Sequence, residues 1–361
     1  DNRDSRSRWC YCRSTGCTGM DIAPFEAGVS ADEVNECIMG EVLTAGVGQA
    51  PARQAAIYAG LNPSTACMTI NKVCGSGLKA VALGADNIML GYTDLAVCGG
   101  QENMTLAPFL MENVRDGYRM GNQTLTDSMI KDGLWDPYNQ FHMGTAAELC
   151  VKEYKLTREE QDEFAKQSYV KAQDAIAKGL FKNEIAAVDV VKGKETFKVE
   201  VDEEPGKARF DKMAALRPAF DKEGTITAAN ASKINDGGAA IVLASEKAVK
   251  EKGLKPIAKI VSHGTFAHDP KWFTTAPVNA IKKALERAKL KVEDIDLFEI
   301  NEAFSLVPMV AMRDLKIPAD KVNVYGGAVA IGHPIGASGA RILTTLVHAL
   351  HSSNKKYGLA T

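Results

Sequence analysis

The chain has 361 residues, 45% of them hydrophobic and 24% charged, with a formal net charge of -2. That length buries a large core and supports two or three subdomains. The balanced charge gives no polyelectrolyte drive toward nucleic acid or a membrane surface, and no apolar run approaches the length of a transmembrane helix. With no secretory h-region either, the expectation is a cytoplasmic protein whose partners are small molecules.

Asp1 to Thr18 is rich in Arg, Ser and Cys and shows neither alternation nor helical periodicity, so residues 1–27 read as an atypical or disordered start. Cys10, Cys12 and Cys17 lack zinc-knuckle spacing and nearby histidines, and no metal site is expected. From residue 28, strands alternate with helices. Ala31 to Val42 reads as an acidic capping turn before a short strand. Met68-Thr69-Ile70 is apolar and strand-like, Leu78 to Leu90 is a small-residue helix, and Asp94 to Gly100 is a further strand.

Between the last two strands sits Cys74, in Asn71-Lys72-Val73-Cys74-Gly75-Ser76-Gly77. A thiol at a strand-to-helix turn meets unpaired N–H groups and the positive end of the helix dipole, which favour thiolate. Gly75 and Gly77 let a substrate approach the sulfur. Free cysteines are commonly plain core residues, and Cys37, Cys67, Cys98 and Cys150 read that way.

Residues 105–226 have a different texture. The segment opens Met-, Asn- and Gly-rich, carries a capping box at Thr157-Arg158-Glu159-Glu160, and then turns charged around Glu203-Glu204-Pro205-Gly206-Lys207. It reads as an inserted loop domain. Gly238 to Leu243 returns to a buried-strand pattern, so residues 28–104 plus 227–250 form one half and 251–361 a second.

The second half repeats the first. The segment Glu293 to Phe304 mirrors Ala31 to Val42, and Asn323-Val324-Tyr325-Gly326-Gly327 mirrors the run ending in Gly75. Ile257 to Val261 and Val278 to Lys289 supply a strand and a helix. Gly358 to Thr361 mirrors the strand before Cys98-Gly99-Gly100. The fold class is therefore α/β: two pseudo-symmetric layered halves whose glycine-rich turns converge beyond the strand ends.

Convergence puts His333, between Gly332 and Pro334, opposite Cys74, and a thiol with an imidazole is the minimum for an activated sulfur nucleophile. Asn301, at the carboxyl end of an apolar strand, offers an amide to a water or a developing oxyanion. An Asx-turn closing the strand is the competing reading.

These residues carry a resemblance. Val73-Cys74-Gly75-Ser76-Gly77, Asn301-Glu302-Ala303-Phe304 and Gly332-His333-Pro334-Ile335-Gly336-Ala337-Ser338-Gly339 resemble the signatures of the thiolase family, nearest its acetyl-CoA acetyltransferase branch. Phe141-His142-Met143-Gly144 and Asn230-Ala231-Ser232 do so as well. The resemblance runs from about Gly28 to Thr361 and implies a thiolase-like fold. It implies reversible Claisen condensation of two acetyl-CoA molecules through an acyl-Cys74 intermediate. His333 is the implied base, and His333 with an Asn301-held water forms an implied oxyanion hole. Coenzyme A is then substrate and product, with no separate cofactor. Its pantetheine is expected against Leu134, His142, Met143, Phe220, Ala228, Ser232, Ala303 and Phe304, with Lys207 or Arg209 near its phosphates. Trp272 to Pro277 is expected at the acyl pocket, and a homodimer or homotetramer is implied.

The family carries a second cysteine just past the strand at Gly358 to Thr361, and the 361 residues do not include it. The expectation is that the native ends lie outside this sequence. That absence keeps a non-catalytic acyl-CoA-binding reading open, beside a longer-chain degradative 3-ketoacyl-CoA thiolase. A dinucleotide-binding reading of Gly75-Ser76-Gly77-Leu78-Lys79-Ala80 is weaker, because Cys98-Gly99-Gly100 stands where an acidic residue is needed.

Overall fold

A computed structural model describes residues 27–361. The readings placed on residues 1–26, including Cys10, Cys12 and Cys17, fall outside the described residues.

The first half is built on four strands: β1 (Glu36–Gly40), β2 (Ala66–Ile70), β3 (Leu95–Asn103) and β4 (Asp236–Ala244). Their order is β4-β3-β1-β2, parallel except for β4, which runs antiparallel to β3. β1 and β3 are apolar on both faces, as central strands covered on two sides require. Cys37, Met39, Leu95 and Val97 pack toward α1 (Pro51–Tyr58) with Ala52 and Ala56. Ile38, Ala96 and Cys98 pack the other way, toward α2 (Ser76–Met89) with Ala80 and Val81.

The intervening region holds α3 (Met143–Tyr154), α4 (Arg158–Ala177) and a hairpin of Val188–Lys192 with Glu195–Val199. Thr157 caps α4 through the anticipated reciprocal bonds with Glu160. After α5 (Glu246–Lys252) come α6 (Ala276–Ala288), β5 (Leu297–Glu299), α7 (Leu306–Leu315), α8 (Ile335–Ser352) and β6 (Gly358–Ala360). β5 and β6 pair in parallel.

The second half has less sheet than the repeat predicts. Residues 257–261 carry the apolar pattern of a strand but join no ladder among the described residues, and Ile257, Ile260 and Val261 are exposed. An apolar run becomes a stable strand only where a neighbour supplies its hydrogen bonds. Val322 makes a single parallel bridge with Phe298.

The two halves meet through helices α2 and α8. They approach so closely that a Cβ on Gly77 would lie 2.5 Å from the Ala340 nitrogen, and one on Gly339 would lie 2.4 Å from the Leu78 nitrogen. Gly100 meets the Gly336 carbonyl in the same way, at 2.1 Å. Gly77 of the Gly75-Ser76-Gly77 turn therefore serves helix contact, whereas a Cβ on Gly75 would meet only Lys72 of the same turn, at 3.5 Å or more. The expected cost of Gly339→Ala is about 1–3 kcal/mol, the usual penalty for overpacking. Gly206→Ala, where nothing stands within 4 Å of the new carbon, serves as the control. Thermal melts of the two variants check this: only Gly339→Ala is expected to lower the midpoint.

Candidate active site

The turn that carries Cys74 is strained and pinned. Val73 has φ 47, a left-handed conformation that a β-branched side chain rarely adopts. Its N–H donates to Asn71 Oδ1 at 2.9 Å. The Ser76 hydroxyl donates to the Val73 carbonyl at 2.6 Å and accepts from the Lys72 N–H at 2.8 Å. These bonds offset the strain and leave Cys74 at the mouth of α2, which begins at Ser76. Around it pack Val42, Leu43, Met104, Met129, Leu134 and Ile335.

His333 reaches the same place from the other half. A short helical turn, Ala328–Ile331, ends at Gly332, whose φ of 97 and contact with Asn235 exclude a side chain. The His333 N–H donates to the Lys233 carbonyl at 3.0 Å. Its Nε2 lies 3.0 Å from Cys74 Sγ and its Nδ1 lies 2.5 Å from the Ser338 hydroxyl. The Ser338 hydroxyl donates to the Pro334 carbonyl at 2.9 Å, so its oxygen accepts the hydrogen on Nδ1. The Nε2 lone pair is then aimed at the thiol. Ser338, which orients the imidazole through this contact, is quoted in the sequence reading within a motif without a role. Its position one helical turn past Pro334 is the signal.

The electrostatics differ from the sequence expectation. Burial pushes the Cys74 thiol up to about 12, helped by the nearby Glu102 carboxylate, and its own backbone N–H offsets this in part. Burial, with the Arg341 guanidinium adding to it, holds the His333 imidazole down at about 3. The resting pair is therefore thiol and neutral imidazole. The helix N-terminus does not outweigh desolvation of the charge.

Asn301 stands beside the pair, its Nδ2 3.5 Å from His333 Nε2 and its backbone N–H on the Thr361 carbonyl at 2.9 Å. Its Oδ1 is buried with no hydrogen-bond partner among the described residues. Leu134 packs on the Cys74 side. A second group lines up from the inserted region. The His142 ring stacks on Phe220 at 4.8 Å, and Phe220 meets Phe304 edge-on at 6.1 Å. His142 Nδ1 accepts from the Gly144 N–H at 2.9 Å and so caps α3. Met143 and Ala303 pack in the same cluster, and the Ser232 N–H donates to the Ala303 carbonyl at 3.1 Å. Ala228 is exposed, with its carbonyl accepting from Lys233 Nζ.

The two basic residues expected near the phosphates are engaged in ion pairs: Lys207 pairs with Glu204 at 2.6 Å and Arg209 with Asp211 at 3.3 Å. Trp272 and Phe273 pack on the same cluster as Met143, Phe220, Ala303 and Phe304. Among the described residues, no cluster of His, Cys, Asp and Glu has the makings of a metal site, and no helix is long and apolar enough to cross a membrane.

The pH dependence follows from the two shifts. A base held at about 3 and a thiol at about 12 both keep their protonation states between about pH 5 and pH 8. Alkylation of Cys74 by iodoacetamide is therefore expected to be flat across that window. In His333→Ala it depends on free thiolate and rises about tenfold per pH unit. Ser338→Ala, which frees the imidazole tautomer, is expected to slow alkylation about 10- to 100-fold, the scale on which outer partners of an oriented histidine act.

Comparison with known proteins matches both halves to one family. Residues 23–247 match the thiolase N-terminal domain and 254–361 the thiolase C-terminal domain. The chain is 53% identical to an acetyl-CoA acetyltransferase of Cupriavidus necator over 349 residues, covering 96% of this chain and 88% of the relative. It is 51% identical to a cytosolic acetyl-CoA acetyltransferase of Gibberella zeae over 345 residues, covering 95% and 87%. Among solved structures, a thiolase from Ascaris suum in complex with coenzyme A superposes with a TM-score of 0.88 at 44% identity, covering 92% and 86%. The acetyl-CoA acetyltransferase of Bacillus anthracis gives a TM-score of 0.92 at 38% identity, covering 95% and 87%.

Proposed function

The chain belongs to the thiolase family, and from that premise we infer that it catalyses the reversible Claisen condensation of two acetyl-CoA molecules to acetoacetyl-CoA and CoA. The longer-chain degradative and the non-catalytic readings are not favoured, since the relatives are acetyl-CoA acetyltransferases at about half identity over most of the chain. The observation that carries the chemistry is the 3.0 Å contact between Cys74 Sγ and a His333 Nε2 whose lone pair faces it.

We propose the following roles. As Cys74 Sγ attacks the acetyl-CoA carbonyl, its proton passes to His333 Nε2. The tetrahedral centre collapses, the carbon–sulfur bond to CoA breaks, and the departing sulfur takes that proton. Acetyl-Cys74 remains, with His333 neutral again. A neutral resting pair suits this cycle, because charge forms only while substrate covers the site. Asn301, through its amide, holds a water that donates to the enolate oxygen of the second acetyl-CoA. The His142–Phe220–Phe304 stack with Met143, Ala303, Ser232 and Ala228 forms the pantetheine wall, and Leu134 closes the side nearest the sulfur.

The compartment proposed is the cytosol, the one in the name of the Gibberella relative. Self-association to a dimer or tetramer is proposed as well. It is supported by exposed apolar side chains along the inserted region, among them Leu106, Phe109, Met120, Leu125 and Tyr138.

Acetyl-CoA added to the protein is expected to acetylate Cys74, read by intact mass and peptide mapping. Cys74→Ala should show no adduct there, and His333→Ala should form it about 100- to 10,000-fold more slowly. Acetylation of another residue with Cys74 unmodified would refute the assignment. Asn301→Ala is expected to leave acetylation near wild type while lowering condensation about 100- to 1,000-fold. Equal losses in both steps would remove Asn301 from the enolate step.

A further inference from the structure

The mechanism leaves one half-buried ammonium without a duty. Lys233 closes the segment 227–233, which carries Ala228 and Ser232 and leads into β4. Much of that segment is held by short-range bonds and by its neighbour. The Thr227 N–H donates to Asn230 Oδ1 at 2.8 Å, and the Ala231 N–H donates to the Thr227 carbonyl at 3.1 Å. The Asn230 carbonyl accepts from the Ser305 N–H at 2.9 Å. The carbonyls of Ala228 and Ala231 are taken by Lys233, whose Nζ donates to the first and lies 3.4 Å from the second.

The same Nζ stands over the Tyr169 ring, 5.6 Å from its centroid. Tyr169 lies on α4, in the buried cluster with Ala229, Val329, Ala330 and Ile331. One ammonium thus sits where the segment, the inserted region's α4 and the turn ahead of His333 meet. The Lys233 main-chain carbonyl accepts from the His333 N–H at 3.0 Å. Two carbonyl oxygens and a ring face present partial negative charge, which suits a cation taken out of water. Burial lowers the Lys233 ammonium to about 8 and the Glu204 charge opposes that, so the group stays protonated at neutral pH. An apolar side chain in its place would pack on the ring but would not draw the Ala228 and Ala231 carbonyls to one point.

We propose that Lys233 is a positioning residue for acetyl-CoA, its ammonium clasping the Ala228 and Ala231 carbonyls over the Tyr169 ring to hold the pantetheine-contacting segment in its binding shape. The Lys233 carbonyl sets that segment against His333. The role rests on the acetyl-CoA reading above. It acts on binding more than on chemistry, because the ammonium holds the wall and touches none of the reacting atoms.

The test is the rate of Cys74 acetylation at pH 7 as a function of acetyl-CoA concentration, read by intact mass. Lys233→Met is expected to raise the half-saturating concentration about 10- to 100-fold, the scale of hydrogen bonds to a charged group, and to change the limiting rate by a smaller factor. Propylammonium is expected to restore Lys233→Ala in part. Tetramethylammonium, of equal charge but without N–H donors, is not. In the wild type, trace acetic anhydride is expected to label Lys233 more slowly than exposed Lys212, and desulfo-CoA is expected to slow it further. The proposal is overturned if Lys233→Met leaves the half-saturating concentration unchanged, or if its limiting rate falls by as large a factor. Equal restoration by the two ammonium ions, or labelling of Lys233 that desulfo-CoA does not alter, overturns it as well. The labelling needs no variant to fold. Cys74 acetylation in the wild type tests the acetyl-CoA reading on its own, so failure of that reading and failure of this role give different results.

Discussion

Cys74 and His333 meet because two helices touch through their backbones. Gly77 on α2 and Gly339 on α8 each face main-chain atoms of the other helix at distances that no Cβ tolerates. That approach lays the two helix starts side by side. The residues just ahead of them, Cys74 in one half and His333 in the other, are 259 positions apart in sequence and 3.0 Å apart in space. A buried carboxylate reinforces the joint. Glu102 accepts from the N–H groups of Val42, Leu43 and Gly336, so one side chain ties a first-half loop to the start of α8. Its pKa is raised by burial and lowered by those three donors, which is how a carboxylate resides in a dry interface.

A second buried carboxylate holds the other side of the site. Glu302 accepts from Asn323 Nδ2 at 2.7 Å, from the Ser168 hydroxyl at 2.7 Å and from the Val329 N–H at 3.0 Å. It thereby links the inserted region's α4 to the loop that leads into His333, and Gly327 leaves room for it. Asn301 and Glu302 are neighbours in sequence with different contacts, one beside the His333 imidazole and the other bracing the loop behind it. The reactive centre is buried, so the thiol and imidazole stay neutral. The two carboxylates that shape its surroundings, Glu102 and Glu302, each accept three hydrogen bonds.

Much of this was legible in the residues. The glycine-rich turns, the capping box at Thr157 and the alternation of strand and small-residue helix each report a local backbone demand, and local demands are written in local sequence. The pairing of Cys74 with His333 was legible through the internal repeat. What was not legible was the protonation state. A helix start argues for thiolate, and whether it prevails depends on how much water the fold removes. Here that is decided by Leu43, Met104, Leu134 and Ile335 from distant segments.

The strand expected at 257–261 shows the same division. Its apolar pattern is a property of five residues, whereas a ladder is a property of two chain segments. Cys37 and Cys67 each read as a core cysteine, and only strand register makes them neighbours. The sequence by itself determined the residue types, the turn chemistry and the repeat, because these follow from side-chain size, backbone freedom and periodicity. The tertiary structure alone decided which sulfurs meet, which face water and which groups carry charge, because contact, burial and local dielectric arise between segments far apart in the chain.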